Sequence, residues 1–186
     1  MKEEITRILS QRERYVINDP RFYPAGVLVL LYEKEGEYYV VFTKRTSNVE
    51  HHKGEISFPG GAFDNEDKTI EFTALRETYE EVGVKVQDVD ILGKLDDMVT
   101  RSNFAVTPLV GTIPYPYSFK INEIEVAELL EVPISHLLDK KNLIQETRVF
   151  DGVTRVMQSY QFKDHVIFGA TAMMLRQFLD LVFPGL

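Results

Sequence analysis

Six consecutive residues, Val27-Leu-Val-Leu-Leu-Tyr32, favour extended backbone and carry no charge. A run of that kind offers no solvent face, so it reads as a buried strand. The polar stretch Lys34-Glu-Gly-Glu37 holds a turn glycine, and Tyr38-Tyr-Val-Val-Phe-Thr43 resumes the strand pattern. Residues 26–43 are therefore expected to form a hairpin whose first strand is buried. The apolar run from Gly26 to Tyr32 is far too short to cross a bilayer.

The remaining pattern mixes helices and strands without strict alternation. Ile5, Ile8 and Leu9 sit at helical spacing among charges in residues 2–13. Strand-like stretches are expected near 84–95 and 104–113, an apolar pattern resumes over Ile124–Leu130, and a pair of strands is expected over 146–163. Residues 170–183 read as a closing amphipathic helix with Met173, Met174, Phe178 and Leu179 on its apolar side. With no repeat or linker, the 186 residues are expected to form one domain, residues 1–24 being an N-terminal helix and lead-in. The expected fold class is α/β (α+β), either an α+β fold or an α/β/α sandwich.

Composition removes several functions. A net charge of −8 disfavours nucleic-acid backbones and anionic membranes as partners, and leaves a small anionic substrate in need of a metal or a basic loop. With no cysteine, disulfides, thiolate zinc and a Cys nucleophile are all ruled out. The N-terminal residues lack the apolar core of a signal peptide, and a cytoplasmic location is the default expectation.

The chemistry concentrates in Phe72-Thr-Ala-Leu-Arg-Glu-Thr-Tyr-Glu-Glu-Val-Gly-Val84. At helical periodicity Phe72, Leu75, Tyr79 and Val82 form one stripe, expected to pack on the core. Glu77, Glu80 and Glu81 form the opposite face. Carboxylates so spaced repel each other by roughly 0.2–0.5 kcal/mol per pair. A hard divalent cation, Mg²⁺ or Mn²⁺, would reverse that sign. Arg76 stands i,i+4 from Glu80 and can hold it in place. Phe58-Pro-Gly-Gly61 precedes the helix, where glycine backbone can approach a ligand, and Gly83 stops the helix.

Residues 61–84 resemble the Nudix box, G-x5-E-x7-R-E-U-x-E-E-x-G-U with U aliphatic. Arg76-Glu77, Glu80-Glu81 and Gly83-Val84 match as they stand. Asp67 occupies the place of the first glutamate, the gap from Asp67 to Arg76 is one residue longer, and Thr78 replaces the aliphatic residue. The resemblance implies an α/β/α sandwich around a mixed β-sheet, and hydrolysis of a nucleoside diphosphate linked to another group. It further implies that Glu77, Glu80, Glu81 and the Gly61 carbonyl bind Mg²⁺ or Mn²⁺, with a base from a downstream carboxylate. Glu123, Glu125 and Glu128 are the candidates, Glu125 first; a plain surface charge is the competing reading of Glu125.

Thr43, Arg45, Gly54 and Phe58 to Gly61 also resemble the signature of the coenzyme A pyrophosphatase branch, T-x-R-[SA]-x3-R-x3-G-x3-F-P-G-G. Thr46 stands for Ser or Ala, and Glu50 reverses the charge of the expected arginine. Leu95 to Phe104 and His165 to Thr171 are similar to that branch too. The implied partner is a small nucleotide such as coenzyme A, with Arg45, His52, Lys53, Gly60, Gly61 and Arg101 as substrate-binding residues. ADP-ribose or a dinucleotide is the alternative substrate, and a nucleotide-sensing module that does not cleave is the alternative class. An acidic surface with apolar patches is also compatible with a homodimer.

Overall fold

The computed structural model describes residues 1–46, 54–150 and 153–184. Its centre is the expected hairpin: β1 (Tyr23–Lys34) and β2 (Glu37–Arg45) pair antiparallel, Leu30 opposite Val41. The two-residue connection Glu35-Gly36 has positive φ at both positions, 53° and 82°, the twist that suits a tight hairpin. Around this hairpin lie β3 (Ile56–Ser57), β4 (Gly60–Ala62), β5 (Asp90–Lys94), β6 (Met98–Val99), β7 (Phe104–Thr112) and β8 (Val126–Pro133). They form an eight-stranded sheet of order β3-β2-β1-β7-β5, with β4 on β1, β6 on β7 and β8 on β2. Only β1 and β7 run parallel among these pairs, so the sheet is mixed.

Both faces of β1 are covered, as its unbroken apolar run requires. Leu28, Leu30 and Tyr32 pack beneath helix α2 (Ile70–Val82) with Ala74, Val82 and Leu109. Ala25, Val29 and Leu31 face the other layer. That layer contains α1 (Lys2–Ser10), the five-residue α3 (Ile134–Leu138) and α4 (Gly169–Val182). It also contains a separate antiparallel sheet of β9 (Leu143–Phe150), β10 (Val153–Phe162) and β11 (His165–Ile167). Each fully buried Leu, Val or Phe side chain contributes ~1.5–3 kcal/mol, so this double burial is the main stabilising term.

Three expectations need correction. The stretch 84–95 is a strand only from Asp90; Val86–Asp88 is a single 3-10 turn. The pair of strands over 146–163 gains a third partner, β11. Met173 is 51% exposed, while Met174, Phe178 and Leu179 are buried as expected. Among the described residues, no helix is long and apolar enough to cross a membrane.

The sheet splits where the chain binds its own Gly-Gly segment. β1 and β2 stay paired from Lys34/Glu37 to Leu30/Val41 and then part. Residues 56–62 fill the fork, β3 pairing with Thr43 and Lys44 of β2 and β4 with Ala25, Gly26 and Val27 of β1. Above the fork, α2 comes close to β1 because Gly26 has no side chain. A Cβ there would lie 2.6 Å from the Ile70 carbonyl oxygen and 3.3 Å from the Ala74 Cβ.

Candidate active site

Helix α2 begins at Thr69, whose hydroxyl accepts from the Phe72 amide at 3.2 Å, and ends at Gly83 in the left-handed conformation. Its buried face is only partly the expected one: Val82 is buried and Leu75 packs against the core as expected, but Phe72 and Tyr79 do not. Thr73, Ala74, Thr78, Glu81 and Val82 are buried, whereas Phe72 and Tyr79 are 43% and 54% exposed. Small side chains let the helix backbone approach β1, and bulky Phe72 and Tyr79 cannot fit at that spacing. Thr78 satisfies its hydroxyl on the Ala74 carbonyl at 2.6 Å, so it substitutes for an aliphatic residue without leaving a buried donor unpaired.

The rotation changes where the three glutamates sit. Glu80 remains solvent-facing, Glu77 is mostly covered, and Glu81 is 1% exposed, buried against β2. Alternation along β2 puts Val41, Thr43 and Arg45 on the side facing α2. The Thr43 hydroxyl donates to one oxygen of Glu81 at 3.3 Å, and the Arg45 guanidinium lies 3.7 Å from the other. A register shift between Lys44 and Arg45 in the pairing with β8 places Arg45 opposite Val126.

Arg76 organises the other two glutamates. Its Nε and Nη2 donate to the two oxygens of Asp67, both at 2.9 Å. Its Nη1 donates to Glu77 at 2.7 Å and Glu80 at 3.2 Å, and Nη2 also reaches the Ala62 carbonyl at 3.3 Å. Asp67 is buried and further accepts from the Thr73 hydroxyl and the Asp64 amide. The Arg76 guanidinium holds the Asp67 carboxyl well below the usual carboxylate range, and Asp67 in turn raises Arg76. Asp67 thus fixes the arginine, the extra residue before Arg76 being absorbed in the loop.

Gly60 and Gly61 bring backbone to this cluster. A Cβ on Gly60 would lie 2.4 Å from the Gly26 carbonyl oxygen, and one on Gly61 would lie 2.5 Å from the Glu77 carboxyl. Glu125 arrives from the opposite side. Lys120 and Asn122 donate backbone amides to the Val82 and Glu81 carbonyls, capping the open end of α2. The Asn122 amide group contacts Glu125 at 3.3 Å, and the Thr46 amide donates to the Glu125 carbonyl. Burial pushes Glu81 up to about 8, reinforced by the charges of Glu77 and Glu125, while Arg45 and Thr43 pull it back down. Burial also raises Glu77, opposed by Arg76 and reinforced by Glu80 and Glu125.

The structure therefore gathers Glu77, Glu80, Glu81, Arg76, Glu125, Arg45, Gly60 and Gly61 around one fork of the sheet. Arg101 is exposed in the turn before β7, next to Phe104 and its partner Tyr23 at the end of β1. His52, Lys53 and Glu50 lie outside the described residues. Glu128 pairs with Lys44 at 3.9 Å and with His165 at 3.2 Å, and Glu123 is exposed. Sequence reasoning assigned no site role to Thr43 and left that of Asp67 open. The T-x-R spacing, which puts Thr43 and Arg45 on one face of a strand, was the available signal for the first.

Among the described residues no three acidic or histidine side chains converge on a point. Two guanidiniums stand between them: Arg76 holds Glu77 and Glu80, and Arg45 faces Glu81. The donor set nonetheless fits a hard divalent cation. Asp67, Glu77, Glu80, Glu81 and Glu125 outnumber the two arginines, all donors are oxygens, and burial penalises the uncompensated charge.

The NUDIX domain model matches residues 22–150. The chain is 36% identical over 151 residues to the Nudix hydrolase NudL of Photorhabdus laumondii, covering 77% of this chain and 76% of the relative. It is 32% identical to Nudix hydrolase 3 of Caenorhabditis elegans, covering 94% of this chain and 80% of that one. In fold it resembles a MutT/nudix family protein from Enterococcus faecalis, with a TM-score of 0.54 and 18% identity, over 97% of this chain and 69% of the other. It also resembles the C. elegans Ap4A hydrolase, with a TM-score of 0.52 and 15% identity, over 62% of this chain and 83% of the other. A mixed sheet forked around Gly60-Gly61, a helix carrying the box glutamates above it and relatives of this similarity lead to one conclusion: the chain belongs to the Nudix domain family and is a Nudix hydrolase.

Proposed function

We propose that this enzyme hydrolyses the diphosphate of coenzyme A or an acyl derivative, giving 4′-phosphopantetheine and adenosine 3′,5′-bisphosphate. The observation that carries the reading is a contact pattern. Thr43 and Arg45, from the segment similar to the coenzyme A branch, reach Glu81 of the box, and Gly61 abuts Glu77. The two motifs are thus parts of one site.

Mg²⁺ or Mn²⁺, held by Glu77, Glu80, Glu81 and the Gly61 carbonyl, would neutralise the diphosphate and sharpen a water nucleophile. Arg76, itself fixed by Asp67, sets the directions of Glu77 and Glu80. The Arg45 guanidinium offers donors to a phosphate oxygen. A carboxylate oxygen of Glu125 takes the proton of the attacking water as its oxygen bonds to phosphorus. The bridging P–O bond breaks and its electron pair leaves with the departing phosphate. ADP-ribose, another nucleotide built on a diphosphate, is the natural competitor in a test.

The test is turnover with Mg²⁺ on coenzyme A, 3′-dephospho-coenzyme A, ADP-ribose and diadenosine tetraphosphate. The expected result is the highest kcat/KM on coenzyme A. A preference of tenfold or more for another of the four, ~1.4 kcal/mol of transition-state binding, overturns the substrate while leaving the hydrolase class intact.

A further inference from the structure

The two arginines of the site are not held alike. Arg76 uses three nitrogens on Asp67, Glu77, Glu80 and the Ala62 carbonyl, within hydrogen-bond distance throughout. Arg45 faces Glu81 at 3.7 Å, beyond a hydrogen bond, and its buried Nε has no acceptor among the described residues. Its side chain is 27% exposed, against 2% for that of Glu81. One guanidinium is clamped; the other stands beside a buried carboxylate without satisfying either partner.

We infer that Arg45 is the exchangeable counter-cation of the box: it faces Glu81 and partly offsets its burial while the site is empty, and gives way when a divalent cation and a diphosphate enter. A buried Glu81 without any cation would be strongly unfavourable. Arg45 supplies that cation at the moderate distance of an ion pair, which is easily surrendered. Its solvent-reaching end can then turn to the entering phosphate, an acceptor that its fork geometry suits better. Arg45 and the metal compete for one carboxylate, yet both bind the substrate. The inference rests on the metal-binding reading of Glu81.

Mn²⁺ titration without substrate, followed by electron paramagnetic resonance, separates the two. The unmodified enzyme should bind Mn²⁺ more tightly than Glu81→Gln; equal affinities would remove the metal-site reading itself. Given that difference, Arg45→Met should bind Mn²⁺ about fivefold or more tightly than the unmodified enzyme, since a competing cation is gone. It should also melt at lower temperature in chelator and raise KM for the diphosphate substrate. Arg45→Lys keeps the charge and should leave Mn²⁺ affinity nearly unchanged. Affinity that is unchanged or weaker in Arg45→Met overturns the exchange. If that variant does not fold, the side-chain Nε–H resonance of Arg45, assigned with Arg45→Lys, provides the decision in the unmodified enzyme. It should move on adding Mg²⁺ while that of Arg76 stays; an immobile Arg45 signal also overturns the proposal.

Discussion

Glu81 carries the site's main conflict. Only 1% of it is exposed, a neutral hydroxyl and a guanidinium 3.7 Å away compensate it, and two more carboxylates act on it. Burial raises its pKa from an ordinary 4.5 to about 8. For a group raised on folding, its contribution to stability is full below the unfolded value and is lost as pH climbs through the folded one. Metal-free enzyme should therefore lose stability across that window, by up to ~1.4 kcal/mol per pH unit from this residue. Glu81→Gln keeps the shape and does not titrate. In chelator, its melting temperature should exceed that of the unmodified enzyme by a margin that widens from about pH 6 to about pH 8. With Mg²⁺ the same variant should lose ~10²–10³ in kcat. A stability margin that does not change with pH would mean that burial does not hold Glu81 above the usual carboxylate range in the empty site.

At the scale of elements, helix α2 and the Gly-Gly segment act as one unit, and their glycines separate stability from function. A Cβ on Gly61 meets only the end of the flexible Glu77 side chain, whereas a Cβ on Gly60, at φ +150°, meets the Gly26 and Val27 backbone. Gly61→Ala should melt within a few degrees of the unmodified enzyme yet lose roughly tenfold or more in turnover, because Glu77 is displaced. Gly60→Ala should lose ~1–3 kcal/mol of stability or more. Thermal melts with kcat measurements on both variants check the contrast, and equal losses in both would refute it. The end of the helix was legible in the sequence because caps are local: Gly83 states it outright. The packing face was not. A search for large apolar residues chose Phe72 and Tyr79, but the contact with Gly26 of β1 favours the smallest side chains, and that partner lies more than forty residues away. The cluster of carboxylates on α2 was legible as a candidate site for the same local reason. Asp67 and Thr43 acquired their roles only through contacts with Arg76 and Glu81 that folding creates.

For the whole molecule, strands and helices mixed without strict alternation pointed to a layered sandwich, the family resemblance specified a mixed sheet, and the structure has that architecture. The fork between β1 and β2 depends on the pairing of β4 with β1, segments far apart in the chain, which periodicity cannot report; the second sheet is two local hairpins, and only the first of them was expected. The same scale sets the last prediction, because a protein of net charge −8 gains some stability from any salt. Screening acts over ~10 Å at 0.1 M ionic strength and does not distinguish cations of equal ionic strength. A site built from Glu77, Glu80 and Glu81 does distinguish them, since binding to the folded state alone stabilises it by mass action, ~2.7 kcal/mol at a hundred times Kd. At roughly 2–4 °C per kcal/mol for a chain of this size, Mg²⁺ near saturation should raise the melting temperature by ~5–10 °C. NaCl at matched ionic strength should achieve a small part of that. Glu77→Gln combined with Glu81→Gln should reduce the Mg²⁺ response to the NaCl level. If Mg²⁺ and NaCl raise the unmodified enzyme equally, its gain comes from diffuse screening, and the carboxylates around the fork are not a cation site.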